Sequence, residues 1–95
     1  MTIILPNGDT YNRGDTIKVV LTFKDPNGVG NVFWWITNGS DDNILLRKNH
    51  WCSNNPECTL TEEFADLSPG IFNIYVAAFD TLENSTVKDT QVTVK

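Results

Sequence analysis

The residues best equipped for chemistry stand close together: His50, Cys52 and Cys58, with Ser-Asn-Asn-Pro-Glu between the two thiols. Thiolate and imidazole are ligands that a borderline metal accepts. Two thiols are too few for a closed structural zinc site, however, and His50 adds only one more donor. A proline-containing segment with cysteine at both ends reads instead as a small disulfide-closed hairpin tip, the alternative being two free thiols. Closing so short a loop contributes ~2 kcal/mol in chain-entropy terms. A bridge would imply an oxidising compartment, so the expected location is extracellular or at the cell surface. Catalysis finds little support. His50 is the single histidine, beside Trp51, and no Ser, Cys or carboxylate pattern around it resembles a triad. It reads as a solvent-exposed loop residue. The acidic residues show no paired spacing that would mark a glycosidase acid and base. The expected class is a non-enzyme.

These residues have to be held by strands. Val29-Gly30-Asn31-Val32-Phe33-Trp34-Trp35-Ile36-Thr37 is the most hydrophobic run. Read with a period of two, Val32, Trp34 and Ile36 face one way, while Phe33, Trp35 and Thr37 face the other. Before it, Ile17, Val19, Leu21 and Phe23 alternate with mostly polar neighbours, the pattern of a half-buried strand. Further strands are expected over Ile3 to Leu5, Ile44 to Arg47, Thr59 to Phe64, Ile71 to Phe79 and a segment ending at Val94. Turn chemistry separates them: Pro6-Asn7-Gly8-Asp9, Arg13-Gly14-Asp15, Asp25-Pro26-Asn27-Gly28, Asn38-Gly39-Ser40-Asp41-Asp42, Leu67-Ser68-Pro69-Gly70 and Asp80 to Asn84. No window has sustained helical spacing. About seven short strands with regular turn signals predict an all-β, antiparallel sandwich.

Composition narrows the partners. A length of 95 residues leaves room for one core, so residues 1–95 read as a single domain, expected to be cut from a longer multi-domain surface protein. A hydrophobic content of 40% is too rich for a disordered chain. The net charge of -5 and a pI near 4.5 argue against nucleic acid, which calls for a basic face. The few Lys and Arg are scattered, and no apolar run approaches the roughly 18 residues of a membrane span. Met1 to Leu5 is too short, and lacks the basic flank, for a signal peptide.

Several motifs, in order, resemble the prokaryotic immunoglobulin-like domains of cell-surface proteins, close to the bacterial Ig-like and fibronectin-type groups. Ile4-Leu5-Pro6-Asn7-Gly8 followed by Gly14-Asp15-Thr16 is similar to the family's opening strand and turn. Asp25-Pro26-Asn27-Gly28-Val29 with Val32 and Trp34 resembles its third strand, Leu67-Ser68-Pro69-Gly70-Ile71-Phe72 its corner, and Ala78-Phe79-Asp80 with Asn84 the close of its sixth strand. Phe72 lacks the hydroxyl of a tyrosine corner. The positions of an antibody-type bridge hold Val19, Leu21, Ile74 and Val76, and the Cys52 to Cys58 insertion lies outside the family pattern. The resemblance implies a spacer or adhesion module whose partners are flanking domains of the same chain or another surface protein. It names no substrate, because such folds host many functions.

An Ig-like topology would bring Asp25 and Asn27 near Asp80 and Glu83, a hard-oxygen set of the kind calcium accepts. The same residue types are also the default turn formers. No cofactor is expected, with calcium as the alternative. That topology also makes the strands of Trp35 and Phe79 neighbours, so Phe33, Trp35, Tyr75 and Phe79 could share one outward apolar face. Three uses compete: stacking sugar rings, with Trp51 assisting, contact with a partner or neighbouring domain, or cover by Ile44, Leu45 and Leu46 of the chain itself. A register shift of one residue would swap the faces. Asn38-Gly39-Ser40 and Asn84-Ser85-Thr86 match the glycosylation acceptor pattern, which the richness in Asn, Ser and Thr makes expected by composition. The main expectation is a non-catalytic spacer or adhesion module, and the alternative is a carbohydrate-binding module.

Overall fold

Alternation of buried and exposed residues runs through residues 17–25, 31–36 and 71–78, and the computed structural model resolves the chain into six strands. It describes residues 1–5, 10–39, 43–65 and 67–95. The strands are β1 (Thr2–Ile4), β2 (Thr10–Tyr11), β3 (Ile17–Asn38), β4 (Ile44–Phe64), β5 (Gly70–Asp80) and β6 (Ser85–Val94), and no helix occurs among the described residues. β3 and β4 form one long antiparallel hairpin. Its far half also pairs with β5, which pairs in turn with β6. The near half of β3 pairs with β1.

The ladder becomes a sandwich because β3 changes the face that it buries. Ile17, Val19, Leu21 and Phe23 are buried in its first half, at odd positions, and Val32, Trp34 and Ile36 in its second half, at even positions. The switch falls at register shifts between Lys24 and Asn31. Both sets nevertheless belong to one core, together with Phe72, Ile74, Val76 and Ala78 from β5 and Val92 and Val94 from β6. The two halves of β3 therefore lie in opposite layers, and the sheet is wrapped over itself. The body measures 40 × 22 × 18 Å.

β4 folds back in the same way. Leu46, Lys48 and His50 on its first leg pair with Ile36, Trp34 and Val32. Cys58, Leu60, Glu62 and Phe64 on its second leg pair with Phe23, Leu21, Val19 and Ile17. The legs are joined by the Cys52–Cys58 disulfide, with Cα atoms 5.9 Å apart, and by an ion pair of 3.8 Å between Lys48 Nζ and Glu62 Oε2. Phe64 reaches across the layers to the Trp34 indole, with ring centroids 5.8 Å apart. The ion pair is partly exposed and adds under about 1 kcal/mol. The bridge matters more. Replacing both cysteines by alanine should lower stability by about 2–3 kcal/mol, with a loss of protection centred on β4 in amide exchange. Uniform loss of protection across the sheet would show that the bridge does not hold β4 locally.

Several details differ from the sequence reading. Thr37, expected outward with Phe33 and Trp35, is buried, because the pairing of β3 with β4 shifts register between Ile36 and Thr37. Asp25-Pro26-Asn27-Gly28 does not break the strand but lies inside β3, where its turn-forming residues make the bulged corner. The bridged segment is not a hairpin tip; it is the bend of β4, and Cys52 is buried in the core. The expected strands from Ile44 and from Thr59 are therefore two legs of one. β2 was not anticipated, and it pairs parallel to β6, Thr10 with Thr93 and Tyr11 with Val94, in a fold expected to be antiparallel throughout. Arg13-Gly14-Asp15 does turn, with the Asp15 carboxylate accepting from the Asn12 N–H at 2.9 Å. The expected turn at Pro6 to Asp9, and Ser40 to Asp42 of the later one, lie outside the described residues.

Candidate functional site

The outward face of β3, β4 and β5 is set by the same period of two. Trp34 and Val76 are buried, so Phe33, Trp35, Tyr75 and Phe79 point away from the core, each half-buried. Trp35 pairs directly with Tyr75, and their rings stack with centroids 5.6 Å apart and planes at 17°. Phe33 meets Phe79 edge to face, at 5.9 Å and 88°. Such pairs contribute about 0.5–1.5 kcal/mol beyond their buried area. Neighbouring strands extend the face: Arg47 and Asp89 flank the Trp35–Tyr75 pair, and Asn49 and Val87 flank Phe33 and Ala77. Ile44 and Leu45 remain exposed, and Leu46 packs against the core instead.

Trp51 belongs to this face as well. It pairs with Asn31, two residues before Phe33, and is 54% exposed. Between Trp51, Phe33 and Phe79 a groove of about 630 Å³ opens toward the corner end of the sandwich, and Asn31, Asn54 and Glu83 also line it. Gly30 forms its floor: a Cβ there would sit 3.4 Å from the Trp51 ring and 3.3 Å from the Phe79 carbonyl oxygen. Trp35 and Tyr75 lie outside the groove. Gly30, Asn31 and Asn54 carried no functional expectation. Asn31 was recoverable, since it shares the outward parity of Phe33 and Trp35. Asn54 was not, because the bend that places it beside Gly30 is a tertiary event.

The acidic residues of the corner are engaged locally. Asp25 is buried, accepts from the Asn27 N–H at 2.8 Å, and lies 3.6 Å from the Met1 ammonium. Asp80 accepts from the N–H groups of Leu82 and Asn84, each at 2.9 Å, and from the Asn84 side-chain amide at 3.2 Å. The two loops touch, as Thr81 Oγ donates to the Asn27 carbonyl at 2.6 Å. Glu83 follows with φ +64°. Among the described residues, the one group of His, Cys, Asp and Glu whose ligand atoms converge is His50, Cys52 and Cys58, within 4.8 Å. Its two sulfurs are bonded to each other. Of the two acceptor asparagines, Asn84 is exposed with its amide on Asp80, and Asn38 donates its backbone N–H to the Asn43 carbonyl.

Desolvation tends to raise the Asp80 carboxyl, but the hydrogen bonds from Asn84 and Leu82 outweigh it and hold the group below its ordinary value, with the terminal ammonium adding a little. A depressed folded-state value means that folding favours the ionised form. The contribution is present above the unfolded value of about 3.9 and is lost as pH falls through the folded one. Asp80→Asn should therefore lower the melting temperature at neutral pH, and the gap to the parent should shrink below about pH 4. Melting curves recorded from neutral to acid pH check this; a constant gap would sink it.

No protein-family model matches the sequence, and no curated protein does. Solved structures do. A superoxide reductase (neelaredoxin) from Ignicoccus hospitalis aligns with a TM-score of 0.68 at 12% identity, over 100% of this chain and 81% of that one. The CARDB domain of a Pyrococcus furiosus protein, solved in complex with di-metal ions, gives 0.66 at 15% identity, over 99% and 86%. Murine CRIg gives 0.57 at 14% identity, over 99% and 95%. One of the three is an enzyme, so the shared architecture does not by itself separate catalysts from binding modules. At these identities the likeness concerns the fold alone, and that fold is an all-β, immunoglobulin-like sandwich.

Proposed function

We propose that this chain is a non-catalytic Ig-like module of a cell-surface or secreted prokaryotic protein, acting as a spacer that presents an adhesion face. The observation that carries the reading is the placement of the first and last strands. β1 starts beside Lys24, at the corner end where Val29 pairs with Asp80. β6 finishes opposite Gly70, and Lys95 donates its N–H to the Tyr11 carbonyl, at the other end. The 11 residues of β5 span the distance between them, about 33 Å at strand rise. Modules joined through such ends would line up in series. The disulfide suits an oxidising compartment. The half-exposed aromatic face is the kind of surface, rich in Trp and Tyr, that interfaces favour.

Two copies joined in series by a short linker test this in solution X-ray scattering. The expected maximum dimension is near twice the 40 Å length of one body. A compact pair lying side by side would overturn the spacer reading.

A further inference from the structure

We infer that the groove between Trp51, Phe33 and Phe79 binds a neutral sugar, one or two pyranose rings in size. The inference is independent of the spacer reading, because it concerns a site on one body rather than the order of bodies in a chain.

Trp51 is the first reason. More than half of its surface is in water, yet it is held firmly: its neighbour Cys52 is buried and covalently tied to Cys58. An indole kept exposed on an anchored strand offers a flat apolar platform. One face of a pyranose, with its axial C–H groups, is the matching shape. The floor is the second reason. Any side chain at position 30 would enter the groove against the Trp51 ring and the Phe79 carbonyl. Phe33 and Phe79, packed edge to face, line the groove together with Trp51.

Polar groups line the same groove. Asn31 and Asn54 bring amides that both donate and accept, and Glu83 brings a carboxylate that accepts. Asp80 lines the groove too, but its oxygens are already held by its own turn. Aromatic platforms with a few convergent polar groups are the usual composition of small-ligand sites, and the volume lies within their range.

Charge and the polar lining then select among ligands. The described lining residues include two carboxylates and no Lys, Arg or His, and the chain carries a net charge of -5. Sialic and uronic acids would meet repulsion at the rim. An alkylammonium group also favours aromatic faces beside carboxylates. Such a head would engage the rings but leave the amides of Asn31 and Asn54 without partners, whereas a pyranose brings hydroxyls that both donate and accept.

The test follows the indole N–H resonances of the intact chain during titration with methyl glycosides of glucose, galactose, mannose and N-acetylglucosamine, with their disaccharides, glucuronate, sialic acid and choline. The expected result is a saturable shift of Trp51 with at least one neutral sugar, while the buried Trp34 stays still. Trp51→Ala should weaken that binding by about tenfold or more. Gly30→Ala should weaken it comparably while the dispersed spectrum of the folded chain is retained. Glu83→Gln, which removes rim charge and keeps an acceptor, should raise glucuronate binding relative to the parent. The inference is overturned if no neutral sugar moves Trp51, if choline alone does, or if affinity survives both Trp51→Ala and Gly30→Ala.

Discussion

Trp34→Ala is expected to destabilise the fold by about 3–5 kcal/mol, the range for emptying a large aromatic site in a packed core. Trp34 is the largest of the fully buried side chains, at 1% exposure. It lies in the far half of β3, pairs with Val76 of β5, and touches Phe64 of β4, so its loss would open a cavity where the layers meet. Against a total of roughly 5–15 kcal/mol for an ordinary domain, little stability would remain. One feature acts the other way. The indole Nε1 is buried without a hydrogen-bond partner, and an unsatisfied donor of that kind costs about 1–3 kcal/mol. Trp34→Phe removes that donor and keeps much of the ring volume. Its loss should stay under about 2 kcal/mol, because the smaller cavity is offset by the relief. Urea unfolding of both variants, with unchanged slope and shifted midpoint, measures the difference. Equal losses would mean that the indole N–H gains a partner in solution, most simply an ordered water.

The second large effect is expected at Gly28. Its φ of +97° lies in the left-handed region, and a Cβ there would overlap the carbonyl oxygen of Asn54. This close approach is where the bend of β4 rests on the corner of β3. Gly28→Ala adds backbone strain of about 1–2 kcal/mol and forces the corner apart, for a combined loss of about 2–4 kcal/mol. Gly14 provides the control. Its φ is +89°, but a Cβ would meet nothing within 4 Å, so Gly14→Ala should lose only the strain, about 1–2 kcal/mol. Thermal unfolding of the two variants separates overlap from strain. The Gly28 variant should also displace the Trp51 indole resonance, since the bend carries Asn54 into the groove. Equal losses for the two would show that the corner yields without resisting.

Those two residues also mark what could and could not be read from the chain. Trp34 was recoverable because a period of two needs only local neighbours: Val32 and Ile36 on its side, Phe33 and Trp35 on the other. The same rule oriented Phe72, Ile74, Val76 and Ala78 of β5. Gly28 sits in a tetrapeptide, Asp-Pro-Asn-Gly, whose composition suits an open turn and a bulged strand corner equally. Which one forms is decided by Asn54 and Asn55 on the opposite strand, more than twenty positions away, and no local pattern carries that information. The Cys52–Cys58 segment was ambiguous for a related reason, since a tip and a bend both bring two cysteines together. β2 escaped because two residues hold no periodicity at all. The groove inherits these limits: its aromatics were legible from parity, whereas Gly30 and Asn54 acquire their positions from the bend.

The short parallel pairing of β2 with β6 has a mechanical consequence. Both strands run toward the end at which Lys95 is bonded to Tyr11 and Arg13, while the start of β1 lies at the opposite end. Traction between the two ends would draw β2 and β6 along their length in opposite directions. The bonds joining Thr10 and Tyr11 to Thr93 and Val94, with those of Lys95, would then share the load side by side in shear instead of opening one after another like a zip. Chain beyond this latch stays folded until all of them give way together. Within β4, the bridge would withhold residues 53–57 from any extension that followed.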